Sequence, residues 1–167
     1  MSLLKKLFSK KENSFSEKLE ELEYFKYSPK EEILNLKRTI DENYNRIEIL
    51  STPKNEKYRP IDLRYYFCDG EDIHEHNGYK KYIEYLRPTL EELNIYDEVK
   101  KNIPSSSNTN IHVDSVYNLI KYLNQILDSN RINENWYPIY GGNDGQLILL
   151  TPEQFEFLDE TIKDAKS

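Results

Sequence analysis

Apolar residues recur along this chain with two periods, and the switches between them mark out its elements. Phe15, Leu19, Leu22 and Phe25 fall at helical spacing and predict a first helix over 16–26. Ser28, Pro29 and Glu31 follow the order of a capping box with proline at the first position. Ile33, Leu36, Ile40, Tyr44 and Ile47 then continue as one apolar stripe, predicting a second helix from about residue 29 to about residue 46. After a loop over 51–60 the period shortens. Ile61, Leu63, Tyr65 and Phe67 alternate with Asp62, Arg64, Tyr66 and Cys68, which is the pattern of a half-buried strand ending at the turn pair Asp69-Gly70.

The helical period returns at Tyr79, Ile83, Leu86, Leu90 and Leu93, with Pro88 kinking or restarting the helix because it lacks an N–H. Short strands are expected at 95–99 and 111–113, with Asp114 as the cap of the helix that follows. Val116, Leu119, Ile120, Leu123, Ile126 and Leu127 make the most regular apolar face in the chain.

The last elements are the most sharply signalled. Trp136, Tyr137, Ile139 and Tyr140 favour a strand, and Pro138 places it at a sheet edge or a strand start. Gly141, Gly142, Asn143, Asp144 and Gly145 read as a hairpin connection, or as a backbone nest for an anion or a partner's polar group. The apolar run 147–150 predicts a strand buried on both faces. Thr151, Pro152 and Gln154 predict a capped helix that carries Phe155, Leu158 and Ile162 on one side. The element order implies an α+β fold with a mostly antiparallel sheet of four or five strands, an N-terminal helical pair and helices packed mainly on one face. Residues 1–13 are expected to form a basic arm and 14–167 a single domain.

Composition narrows the function classes. The net charge is −7, and 1–11 carry four lysines without an acid, so the body is more acidic than the whole. An acidic body repels phosphate backbones, which argues against nucleic acid and for a basic protein partner. Leu3, Leu4 and Phe8 among those lysines suit either a frayed arm or weak peripheral contact with an anionic membrane, and no segment is long enough to span one. The single cysteine excludes an internal disulfide and points to the cytoplasm. No cofactor motif is present.

Two clusters carry candidate chemistry. Asp69, Glu71, Asp72, His74, Glu75 and His76 form the densest polar run, which reads as a solvated acidic loop or as a weak metal site built on Asp72, His74 and His76. The hairpin offers Trp136 and Tyr140 on one face and Tyr137 on the other, beside Asn143 and Asp144. The binding candidates are therefore Trp136, Tyr140, Asn143 and Asp144, with Asp69 and Asp72 second.

The stretches FSEKLEELEYFKY, DLRYYFCDGEDI and GGNDGQLILLTPEQF resemble a group of small uncharacterised bacterial cytoplasmic proteins. The acidic α+β character also resembles, in a general way, the immunity proteins of bacterial toxin systems. That resemblance implies a non-enzymatic protein-binding module, immunity- or adaptor-like, and assigns no residue a role. The alternative is a metal-dependent hydrolase using the acidic and histidine cluster at 69–76.

Overall fold

The computed structural model describes residues 13–43, 64–75, 77–104, 112–139 and 144–164. Tyr140, Asn143 and His76, the basic arm and the first half of the strand expected from Ile61 lie outside those residues.

The first helix is shorter than its stripe suggests, and the second starts later. Helix α1, Phe15–Glu21, starts at a capping box in which Ser14 Oγ accepts the Glu17 N–H and Glu17 Oε2 accepts the Ser14 N–H. A 3-10 turn, Tyr24–Tyr27, follows instead of a continued helix, entered through Glu23 at φ 57°. The break leaves the Tyr24 carbonyl to accept Arg64 Nε at 2.7 Å. Helix α2, Ile33–Asn43, begins after a turn closed by Glu32 N–H to Pro29 O, so the expected capping box at Ser28 does not start it. Ser28 Oγ is buried without a hydrogen-bond partner among the described residues. Asp41 fastens α2 to α1, accepting from the Ser16 N–H at 3.0 Å, Ser16 Oγ at 2.6 Å and Ser14 Oγ at 3.0 Å.

Strand β1, Tyr65–Asp69, leads without a loop into α3, Gly70–His74. Then come α4, Gly78–Tyr85, α5, Arg87–Glu92, α6, Tyr96–Lys101, and α7, His112–Ser129. Pro88 restarts the helix at α5, as its missing N–H requires. The strand expected at 95–99 is a correction. Ile95, Tyr96 and Val99 all enter the core, a spacing that only a helix satisfies. Of the strand expected at 111–113, residues 112 and 113 instead open α7, with Asp114 inside its first turn, and 111 lies outside the described residues.

Strands β2, Asn135–Ile139, and β3, Asp144–Leu150, complete an antiparallel sheet ordered β1-β3-β2. Among the described residues the fold is α+β with eight helices and three strands, not four or five. Helices cover both faces rather than mainly one, and the reason lies in β3. Leu147 and Leu149, with Tyr66, Cys68 and Trp136, join the core formed by α3 to α7. Ile148 and Leu150 join the core formed by α1, the 3-10 turn and the last helix, α8, Pro152–Asp164. A strand apolar on both faces needs cover on both. The alternation in β1 also has the opposite phase to its hydrophobic pattern, since Tyr66 and Cys68 are buried while Phe67 is exposed.

Both ends of the hairpin region are tied down. Pro138 lies on the edge strand β2, and the side-chain amide of Asn124 occupies the strand's outer rim beside it. Asn124 Oδ1 accepts the Trp136 N–H at 2.8 Å and Asn124 Nδ2 donates to the Trp136 carbonyl at 3.0 Å. Thr151 and Gln154 form the predicted capping box of α8, and Gln154 Nε2 also donates to Leu22 O at the end of α1.

Gly78 sets the approach of α4 to α3. A Cβ at this position would overlap the carbonyl oxygens of Asp72 and Ile73 and stand 2.6 Å from the Ile73 carbonyl carbon. Backbone cannot swing aside as a side chain can, so Gly78→Ala is expected to cost about 3 kcal/mol, the upper range for overpacking. Urea unfolding checks this, and a loss under about 0.5 kcal/mol would show that α4 is not seated against α3 in this way.

Candidate functional site

The two ends of the sheet carry different chemistry. At one end the register pairs Asp69 of β1 with Asp144 of β3. The acidic run from Asp69 and the start of β3 at Asp144, 75 residues apart in the chain, therefore lie side by side. The Asp69 carboxylate is occupied locally. It caps α3, accepting the Glu71 N–H at 2.8 Å and the Asp72 N–H at 3.4 Å. Glu71 and Asp72 then stand exposed in the first turn of α3, where the helix dipole favours negative charge.

The acidic run is thus a capped helix and not the expected loop. The helix ends at His74, and His76 lies outside the described residues. His74 Nδ1 lies 2.9 Å from Ser115 Oγ, whose residue is buried in α7. Among the described residues no group of three or more His, Cys, Asp or Glu side chains is placed to hold a metal ion. Cys68 is a packed core residue. Burial pushes its thiol up to about 12, so it stays protonated and is a poor nucleophile at neutral pH.

The hairpin aromatics divide differently from the expectation. Trp136 is 1% exposed, edge-to-face with Tyr66 at 5.8 Å between ring centroids, because α7 covers its side of the sheet. It is a core residue and not an exposed anchor. Its indole N–H has no hydrogen-bond partner among the described residues. Tyr137, on the opposite face, stacks on Phe155 with centroids 4.0 Å apart. Of Phe155 and Leu158, which share one side of α8 and are both expected to pack on 147–150, Leu158 is buried while Phe155 is 40% exposed. Tyr137 and Phe155 therefore supply the accessible aromatic surface near the hairpin.

At the other end of the sheet lies a feature that the sequence reading placed on a solvent-facing alternation. Arg64, just before β1, is fully buried and Glu134, just before β2, nearly so. Arg64 Nη1 donates to Glu134 Oε1 at 3.0 Å and to the Leu149 carbonyl at 2.9 Å, and Nη2 donates to the Glu23 carbonyl at 3.2 Å. Glu134 Oε2 accepts the Tyr27 hydroxyl at 2.5 Å and pairs with Lys26 Nζ at 3.3 Å. Burial, and next the bond to Glu134, raise the Tyr27 phenol well above the ordinary tyrosine range, so it remains a donor. The network joins the 3-10 turn to all three strand ends. Above it opens a cleft of about 440 Å³, lined in part by Glu23, Lys26, Tyr27, Glu92, Ile132 and Glu134. A local pattern could not have revealed this, since Arg64 and Glu134 are 70 residues apart.

No protein-family model matches the chain, and neither a curated protein nor a solved structure matches it. Among the described residues no helix is long and apolar enough to cross a membrane.

Proposed function

We propose that this chain is a non-enzymatic protein-binding module, immunity- or adaptor-like and cytoplasmic, that captures a basic protein through the acidic end of its sheet. The reading rests on the register of Asp69 with Asp144, which brings the start of α3 and the start of β3 to one end of the sheet. Glu71 and Asp72 are exposed there, and the whole chain carries −7. A surface of one sign steers an oppositely charged partner and selects against others. The outer rim of β2 is engaged by Asn124 at Trp136, and Pro138 offers no N–H there, so capture is by side chains rather than by addition of a strand to β2.

The test begins with affinity capture of the partner from the source cell. Calorimetry then compares the wild-type chain with Asp72→Asn, Asn143→Ala, Asp144→Asn combined, leaving Asp69 as the helix cap. The expected result is affinity weakened at least about tenfold, roughly 1.4 kcal/mol, with an unchanged melting temperature. Unchanged affinity in the folded variant would remove the acidic end as the binding surface.

A further inference from the structure

The cleft above the Arg64–Glu134 pair lies at the opposite end of the sheet from Asp69 and Asp144, and its chemistry is separate from that of the acidic end. Its lining carries three carboxylates, Glu23, Glu92 and Glu134, against one ammonium, Lys26. Among the described residues neither Glu23 nor Glu92 has an ion-pair partner, so two of the three carboxylates face the opening unneutralised. Lys26 shows how a cation sits here. Its Nζ lies 3.3 Å from Glu134 Oε2 and 4.7 Å from the centroid of the Tyr27 ring, combining a carboxylate with an aromatic face. Yet its side chain is 48% exposed, so the resident cation lies at the mouth and does not fill the space. The volume, about 440 Å³, is within the range of small-ligand sites, roughly 300–1,000 Å³. Leu93 and Ile132 add apolar wall on which a methylene stem can lie, while Asn133 and Thr151 add hydrogen-bonding groups for its head.

We propose that this cleft binds an alkylammonium group, with the stem against Tyr27, Leu93 and Ile132 and the head between Glu92, Glu23 and Glu134. Lys26 is then a tethered competitor that partly occupies the seat. Arg64 holds Oε1 of Glu134, and the Tyr27 hydroxyl and Lys26 hold Oε2, so the incoming group takes the place of Lys26 beside Oε2 and meets the two rim carboxylates. The same head and stem belong to a free aliphatic amine and to a partner's lysine side chain.

The test is calorimetric titration of the full chain with two probes, 1,5-diaminopentane and an acetylated, amidated pentapeptide with lysine between pairs of glycines. The same peptide with norleucine in place of lysine is the control. Three proteins are compared: wild type, Lys26→Ala, and Glu23→Gln with Glu92→Gln, each checked for fold by circular dichroism. The substituted side chains are exposed or half-exposed, and the buried pair is left intact. Saturable binding that tightens at least about fivefold in Lys26→Ala and weakens at least about fivefold in the rim variant is expected. Binding of the peptide alone assigns the seat to a protein lysine, binding of the diamine alone assigns it to a free amine, and binding of both establishes the shared chemistry. Absence of saturable binding of either probe to both wild type and Lys26→Ala overturns the proposal. So does norleucine peptide binding equal to that of lysine peptide, or an affinity that neither variant moves.

Discussion

Glu134→Ala is expected to lower the unfolding free energy by about 3–5 kcal/mol, the cost of removing one partner from a buried ion pair. Arg64 is fully buried and pairs with Glu134 at 3.0 Å, so the substitution takes a buried carboxylate from a buried guanidinium. It also takes the acceptor from the Tyr27 hydroxyl. Arg64→Ala should be comparably damaging for a different reason. The carbonyls of Tyr24, Leu149 and Glu23 each lose a charged donor, and the 3-10 turn loses its link to the sheet. The double substitution Arg64→Met, Glu134→Leu should cost less than the two single losses added together, because no unpaired charge remains. Denaturant melts of the four proteins measure this. Strict additivity would show that the two groups act independently, contrary to their geometry.

Trp136→Ala is expected to cost about 3–5 kcal/mol, as large aromatic truncations in cores do. The indole is enclosed on the α7 side of the sheet, packed on Tyr66 and in one core with Leu147 and Leu149. Its backbone is gripped at both N–H and carbonyl by Asn124, so the surrounding structure cannot readily collapse into the void. Trp136→Phe should recover part of the loss, and the recovery should not depend on hydrogen bonding, since the indole N–H has no partner among the described residues. Urea unfolding followed by circular dichroism decides the matter. A loss under about 1 kcal/mol for Trp136→Ala would return this side chain to the surface and to the role of a binding anchor.

The parts of the fold that local sequence made legible are those set by local chemistry. Thr151, Pro152 and Gln154 start a helix because cap, ring and amide act within one turn. Pro138 marks an edge strand and Pro88 a helix restart, since a missing N–H acts on its own ladder. The double-faced burial of β3 was visible in its unbroken apolar run. What escaped is set at a distance. Ile95 to Val99 has branched residues suited to a strand, yet tertiary packing takes them at helical spacing. Arg64 stands among alternating residues as a surface charge would, and the buried carboxylate it pairs with, Glu134, is 70 residues away. Similarly, Asp69 and Asp144 are each readable as candidate residues, but that they stand side by side follows from the register of β1 on β3.

That shared acidic end is the centre of the functional reading, and the association rate as a function of salt tests it most directly. The captured partner and the wild-type chain are mixed in stopped flow across a series of ionic strengths, alongside Asp72→Asn with Asp144→Asn. Steered association slows steeply with salt because exposed charges are screened over about 10 Å at 0.1 M. A steep slope is expected for the wild type, a shallower slope for the variant, and rates that converge at high salt. Rates that are equal for the two proteins and flat in salt would contradict that reading.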